Sequence, residues 1–360
     1  MPRLKIESLK KYLLEVFGIL GTPKENAIIT ADVLLSADRR NIASHGVARL
    51  DYYVEGIEQK SINPRANPTV IKQSPATLLV DGNGGLGHVI SVKTMRRVIR
   101  KAQKTGMASA VIRNSNHYGI AGYTAMMALE YNLIGFSATN TPPFTVPTFG
   151  KNAALGTNPL AIAVPAGNEY PFVLDMATST VALGKLEICQ RLGKRMPSGW
   201  AQDKNGELTD DAQNALEEMW ARKGGGLLPL GGAGEENAGY KGYDLCALVD
   251  IITGGLAISL MGVEIQGKHG EQADISHFLM ALDPSAYAEI SDFKSRMDSF
   301  IRMLKNQPCL EGEDRIWIAG EKEWEAQERN KEAVDIDGPT FDKLKRIGKK
   351  FGVNTDNLLA

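Results

Sequence analysis

Two short segments of this chain carry residue types that can move protons and hold anions. Ser44-His45-Gly46 is followed by Arg49. If a helix begins at Ser44, His45 and Arg49 lie four residues apart on one face. A His beside an Arg suits the chemistry of 2-hydroxy acids. The imidazole can exchange the hydroxyl proton, and the guanidinium can hold a carboxylate through two parallel hydrogen bonds. The same residues also fit a plainer arrangement, with Ser44 capping the helix, His45 at the surface and Arg49 paired with Asp51 or Glu55. The second segment, Asn114-Ser115-Asn116-His117-Tyr118-Gly119, ends a strand-like run and precedes a helix. α/β proteins bind their ligands at the C-terminal ends of strands. His117 is therefore expected to serve as acid, base or hydrogen-bond donor; a loop capped by Asn116 is the alternative.

Three further clusters contain groups suited to a nucleotide. Gly156-Thr157-Asn158-Pro159 is followed by Asp175-Met176-Ala177-Thr178-Ser179. Asp175 and its small neighbours could hydrogen-bond a ribose or a nicotinamide amide, or Asp175 or Thr178 could simply cap the next helix. Gly239-Tyr240-Lys241-Gly242-Tyr243 opens an apolar helix, where the Lys241 charge would add to the free N–H groups of the first turn; a surface lysine is the alternative. Gly82-Asn83-Gly84-Gly85-Leu86-Gly87 matches G-x-G-x-x-G between a strand and a helix, the context of a dinucleotide fingerprint. The following strand ends on Arg113 rather than the acid that fingerprint expects. The sequence has neither G-x-x-x-x-G-K-[ST] nor G-x-S-x-G, so a P-loop NTPase and a standard serine hydrolase are unsupported. The five histidines show no H-x-x-x-H spacing, which speaks against a metal site.

The elements that must position these groups alternate in period. Helical spacing marks Ile6–Leu20, a segment from Pro23, and Val47, Leu50, Val54 and Ile57 after Ser44. SINPRANPT is a connector. TLLVD (77–81), ASAVIRN (108–114), IGFSATN, LAIAVPA, FVLDMA and HFLMALDP read as short buried strands. VKTMRRVIRKAQKTG, YTAMMALEYNL, the long apolar KGYDLCALVDIITGGLAISLMG, SAYAEISDFKSRMDSFIRMLKN and the terminal PTFDKLKRIGKKFGV read as helices.

Composition narrows the class. Lys+Arg total 41 and Asp+Glu 42, so no charge excess points to nucleic acid or an anionic membrane. Cys189, Cys246 and Cys309 are odd in number, far apart and without a CxxC pair, which fits a reducing cytoplasmic setting better than a disulfide framework. No uncharged apolar stretch is long enough to span a bilayer. At 360 residues the chain can bury a substantial core unaided.

Five motifs occur together in one order: S-H-G-V-A-R at 44–49, N-S-N-H-Y-G at 114–119, G-T-N-P-L-A at 156–161, F-V-L-D-M-A-T-S at 172–179 and Y-K-G-Y at 240–243. In this the chain resembles the type-2 malate/L-lactate dehydrogenase family, which also contains ureidoglycolate, sulfolactate and diketogulonate oxidoreductases and imino-acid reductases. The resemblance runs from the first helix to Gly320-Glu321.

It implies an α/β fold whose cofactor domain is a mixed β-sheet rather than a Rossmann domain. The Gly82–Gly87 cluster is then not the cofactor cradle. A helical domain, residues 1–115 joined by 315–360, would pack on a cofactor-binding and dimerisation domain of 116–314. His45 and His117 are implied as acid–base residues, Arg49 beside Ser44 as carboxylate anchor. Thr141, Asp175, Met176, Ala177, Lys241, Gly320 and Glu321 are implied in binding NAD or NADP, and Asp274 and Ser276 stand at a further cofactor contact. There the stretch reads Asp274-Ile275-Ser276-His277 where many members have N-x-G-[HQ], and Tyr243-Asp244 replaces a more usual Tyr/Ser-Gly. The implied activity is an NAD(P)-dependent interconversion of a 2-hydroxy acid and its 2-oxo acid, with malate first and ureidoglycolate, sulfolactate, lactate or a cyclic imino acid as alternatives. A non-catalytic binding or scaffold protein is the alternative from another class. The implied partners are a small carboxylate substrate and a second copy of the chain.

Overall fold

A computed structural model describes residues 1–265 and 274–360. The chain begins with β1 (Arg3–Lys5), α1 (Ile6–Ile19), α2 (Lys24–Arg39) and α3 (Leu50–Glu58). Then come β2 (Thr69–Gln73), β3 (Thr77–Asp81), α4 (Gly87–Thr105), β4 (Met107–Ser115), α5 (Ala121–Met126), β5 (Ile134–Thr139), β6 (Leu160–Val164) and β7 (Phe172–Met176). α6 (Leu183–Arg191), β8 (Ala201–Gln202), β9 (Leu208–Thr209), α7 (Ala212–Trp220) and β10 (Gly226–Leu227) form a lobe of short elements. α8 (Gly239–Asp250), β11 (Ile275–Leu282), α9 (Ile290–Lys305), α10 (Glu321–Arg329), β12 (Ala333–Asp335) and α11 (Gly338–Phe351) complete the chain.

The central sheet has seven strands in the order β2-β3-β4-β11-β5-β6-β7. β3 and β4 are parallel, joined through α4, and every other pair is antiparallel. β11, late in the chain, lies between β4 and β5 and pairs Ile275 with Ser115 and His277 with Thr139. Five of its eight residues are buried and none is exposed, as expected of a strand with a neighbour on each side. The mixed-sheet expectation holds, and a doubly wound Rossmann sheet is absent among the described residues.

The helical layer follows from amphipathic spacing. α1 buries Leu9, Tyr12, Leu13, Val16 and Phe17, one stripe at intervals of three and four. These meet α2, α3 and α11 in one core that includes Val334, Leu344 and Ile347 from the C-terminal end. β1 pairs antiparallel with β12, which ties the two ends of the chain together. Asp337 caps α11 by accepting from Thr340 N, and Gly352, at φ +70°, ends it in the left-handed conformation. Strands on both sides of the expected 115/116 boundary share the large sheet, so any division of the chain has to leave that sheet whole.

Several local expectations needed correction. No helix begins at Ser44. Asp38 Oδ2 accepts from Val47 N, and a Cβ on Gly46 would lie 1.8 Å from Asp38 Oδ1, so the buried Asp38 carboxylate fills the space against that turn. A 3-10 turn at Val47–Arg49 then leads into α3. The helix expected at 123–133 is only α5 followed by a 3-10 turn at Leu129–Tyr131. The apolar segment after Gly239 passes from α8 into a π-helical turn at Ile251–Gly255. β2 forms in a polar, mostly exposed stretch whose pattern predicts no strand.

Candidate active site

His45 and Arg49 come together through Ser44 instead of a shared helix face. Arg49 Nε donates to the Ser44 carbonyl at 2.8 Å, and Ser44 Oγ hydrogen-bonds His45 Nδ1 at 2.8 Å. Arg49 does not pair with Asp51 or Glu55. Its terminal nitrogens grip Glu187 of α6 with both arms, Nη1 to Oε1 at 3.1 Å and Nη2 to Oε2 at 2.5 Å. Asp51 instead pairs with Lys343 of α11.

His117 arrives on the loop after β4, and the glycine cluster is what seats that loop. Gly84 N donates to the Asn114 carbonyl, and Asn116 Nδ2 donates to the carbonyls of Gly84 and Gly85. A Cβ on Gly87 would stand 2.0 Å from Asn116 O and 2.5 Å from His117 O. The first turn of α4 is therefore filled by protein backbone where a dinucleotide cradle would need space for a phosphate. The glycines allow close approach, but to the His117 loop.

The two imidazoles stack at 5.5 Å between centroids. The Tyr53 hydroxyl hydrogen-bonds His117 Nδ1 at 2.5 Å, which orients the ring. Two more histidines back them. His277 is held between β5 and β4, Nδ1 to Thr139 Oγ1 at 2.7 Å and Nε2 to Ser115 Oγ at 2.9 Å, and Tyr118 stacks on it at 4.5 Å. His88 of α4 is fully buried beside the Tyr53 ring at 4.7 Å, and neither ring nitrogen has a hydrogen-bond partner among the described residues. Four of the five histidines thus converge, although they are scattered in sequence. No group of three or more His, Cys, Asp or Glu among the described residues is placed to hold a metal ion.

Burial sets the electrostatics. It depresses His45 to about 3, with the Arg49 charge adding to the effect. Burial pushes His117 well below its ordinary range, with smaller contributions from His45 and Arg49. Both rings are neutral at neutral pH. Tyr53 is driven far above the usual phenol range by burial, so it orients His117 without ionising.

His45, Arg49, His117, Thr141, Thr157 and Gly184 line one cleft with about 890 Å³ of empty space, open solvent at its mouth included. Asp175 and Gly320 line a neighbouring groove with Arg40, Lys322 and Glu323. Gly119 borders the cleft and Gly122 the groove, so the start of α5 separates them. Asp175, exposed at the end of β7, accepts from Gly122 N through Oδ2. Met176 and Ala177 lead out of β7, half-buried. The remaining expected residues lie apart from both spaces. Lys241 is exposed on the first turn of α8, its Nζ 5.8 Å from the Tyr240 ring. Asp274 accepts from Asn114 N and Ser259 Oγ. Ser276 N donates to Asn140 Oδ1, and its buried hydroxyl has no partner among the described residues. Glu321 pairs with Lys305 at 2.6 Å, and its Oε2 accepts from Ile318 N.

Residue-by-residue reading missed Tyr53, Glu187, His88 and Gly184. Tyr53 carries a faint signal, since it follows His45 by two helical turns. Glu187 carries none, because an acid on a short polar helix is usually a solvated one.

Comparison with known proteins agrees with this geometry. The chain matches the malate/L-lactate dehydrogenase family over residues 4–345. It is 42% identical to a malate dehydrogenase of Pyrococcus abyssi over 352 residues, 98% of this chain and 95% of the relative. It is 36% identical to a malate/(S)-sulfolactate dehydrogenase of Methanothermus fervidus over 350 residues, 96% of this chain and 97% of that one. The crystal structure of malate dehydrogenase from Entamoeba histolytica superposes with a TM-score of 0.95 at 34% identity, covering 98% of this chain and 99% of the other. The fold, the paired histidines and these likenesses define a dehydrogenase of 2-hydroxy acids. The chain belongs to the malate/L-lactate dehydrogenase family.

Proposed function

We propose that this enzyme interconverts malate and oxaloacetate with a nicotinamide cofactor. The observation that carries the reading is two stacked, neutral imidazoles sharing one cleft with Arg49. His117 is the acid–base residue. When its Nδ1–H donates to the Tyr53 oxygen, Nε2 keeps a lone pair for the hydroxyl proton of the substrate. In the reverse direction His117 must first gain a proton. A substrate carboxylate beside it favours that step by offsetting the Arg49 charge. His45, anchored on Ser44, flanks the reacting carbon. Arg49 meets the substrate carboxylate with the N–H bonds its other partners leave free.

The residues present fit a nicotinamide nucleotide. Thr141 and Thr157 offer hydroxyls in the cleft, and Asp175 has a carboxylate oxygen, Oδ1, without a hydrogen bond among the described residues, suited to a ribose diol. Arg40 and Lys322 supply positive charge in the adjoining groove. Gly320 borders the same groove, Met176 and Ala177 follow Asp175 out of β7, and Lys241, exposed on the first turn of α8, adds its charge from outside both spaces. Asp274, Ser276 and Glu321, which bond to the protein itself, serve behind it. Bound there, the cofactor would take or give the hydride at the substrate's C2.

A second copy of the chain completes the assembly in this reading. Leu248, Ile251, Leu256, Ile258 and Val263 are all about half exposed or more on consecutive turns after the start of α8, Ile258 at 85%. Contiguous apolar exposure of this kind marks an interface, and a two-fold dimer is the commonest closed arrangement. No helix among the described residues is long and apolar enough to cross a membrane, and we take the cytoplasm as the compartment.

Steady-state rates with oxaloacetate, sulfopyruvate, pyruvate and a cyclic imino acid, each with NADH and NADPH, test the reading. Oxaloacetate should give the highest kcat/KM. His117→Asn should lower kcat by about 10²–10⁴-fold and leave cofactor binding in place. A higher kcat/KM for another acid would replace malate as substrate. Full activity in His117→Asn would remove that residue from the chemistry.

A further inference from the structure

Arg49 stands on the wall between two spaces. It borders the cleft with His45 and His117, and also a second, more open depression that contains Glu187, Lys223 and Lys343. Glu187 borders only the second. The substrate and Glu187 therefore approach the guanidinium from different sides.

A guanidinium has five N–H bonds. Arg49 spends three of them, one from Nε on the Ser44 carbonyl and one each from Nη1 and Nη2 on Glu187. This uses the end-on edge and half of the side-on edge. The remaining Nη2 N–H belongs to the side-on edge, next to Gly184. A Cβ on Gly184 would lie 3.3 Å from Nη2 and 2.6 Å from Ser44 Cβ, so residue 184 keeps that approach open. Glu187 itself is mounted firmly. Leu186, the preceding residue, is fully buried in a core shared with Leu216 and Met219 of α7, and Arg191 at the end of α6 pairs with Asp337 at 2.8 Å. The ion pair is mostly sheltered, with side chains 20% and 24% exposed. A long side chain with several rotatable bonds is thus fixed at three points.

We propose that Glu187 is a positioning residue for catalysis: acting through Arg49, it sets where the substrate carboxylate docks, and through Ser44 it keeps that anchor in register with His45. This rests on Arg49 binding the substrate carboxylate. The brace has a consequence for substrate choice. With the end-on edge occupied, the substrate receives single hydrogen bonds from Arg49 rather than a full fork. Removing Glu187 frees Arg49 to turn its fork elsewhere, which loses the alignment of C2. If Glu187 instead competed with the substrate for Arg49, removing it would tighten substrate binding. The two roles differ in sign.

The experiment is a double-mutant cycle of Arg49→Ala, Glu187→Ala and the pair, with Glu187→Asp and Glu187→Gln alongside. The readouts are kcat and KM for oxaloacetate, the Kd for NADH from fluorescence, and thermal melting. We expect Glu187→Ala to lower kcat/KM by about tenfold to a hundredfold, with a raised KM, unchanged NADH affinity and a folded protein at the assay temperature. The double variant should be no worse than Arg49→Ala, because Glu187 has nothing left to position. Glu187→Gln, which keeps one acceptor oxygen, should fall between wild type and Glu187→Ala. A lowered KM in Glu187→Ala, an unchanged kcat/KM there, or losses that multiply in the double variant would each overturn the proposal. Arg49→Ala impaired with Glu187→Ala intact refutes the brace alone. Arg49→Ala at full kcat/KM would remove Arg49 from the substrate site, and the brace with it.

Discussion

Replacing Gly87 by Ala places a methyl group where the His117 loop already sits. The added Cβ would be 2.0 Å from Asn116 O and 2.5 Å from His117 O, both backbone atoms that cannot rotate away. Real Cβ contacts stay beyond 3.0 Å, so the loop has to shift by about 1 Å. Overpacking of this kind costs roughly 1–3 kcal/mol of stability, a fall of a few degrees in Tm for a chain of this size. The functional cost is larger, because a displacement of about 1 Å in a reacting group can cost on the order of a hundredfold in rate. The same shift strains the hydrogen bond between His117 and Tyr53. Gly87→Ala should therefore lower kcat for oxaloacetate reduction by about a hundredfold, measured well below its Tm, while NADH affinity by fluorescence titration stays within about twofold. The reverse pattern, a weakened cofactor with kcat preserved, would refute the reasoning and return the glycine turn to phosphate binding.

Two further outcomes follow from burial. Burial depresses His88 to about 3, below the ordinary 6.5 it would have in the unfolded chain. The unfolded state then binds the extra proton first. His88 costs nothing above about pH 6.5 and lowers stability progressively as pH falls towards 3. Asp38, raised to about 7 by burial, acts in the opposite direction over part of this range. Comparing wild type with His88→Leu cancels its contribution. Between pH 7 and 5 wild type should lose about 2 kcal/mol more in urea unfolding than the variant does; parallel curves would show that His88 does not titrate between the two states. For assembly, light scattering should give a dimer for wild type at micromolar concentration and a smaller mass for Ile258→Asp, whereas a monomeric wild type would rule out the apolar face as a dimer contact.

The segments that carry chemistry are legible because they are local. Ser44, His45, Arg49, His117 and Asp175 stand in short ordered motifs, and the cleft and its adjoining groove collect all of them but Ser44, which lies behind, on the second depression that Arg49 also borders. Lys241 shares those motifs, and Asp274, Ser276 and Glu321 enter with the family resemblance, yet their side chains turn to solvent or to the protein. A motif fixes where the backbone passes, not which neighbour a long side chain finds.

Amphipathic spacing by itself determined α1, α4, α9 and α11, and alternating apolar runs determined β3 to β7 and β11, since each pattern states which face must leave water. Pairing order was not determined. β11 sits between β4 and β5, more than a hundred residues away in sequence, because several strands are about equally apolar and only the packed sheet selects its neighbours. The tertiary structure alone brought four dispersed histidines together, filled the glycine turn with the His117 loop, and gave Arg49 a partner 138 residues distant in place of the nearby Asp51 or Glu55. Charges choose partners by distance in space, and a buried imidazole takes its protonation state from its surroundings, and neither quantity exists until the chain is folded.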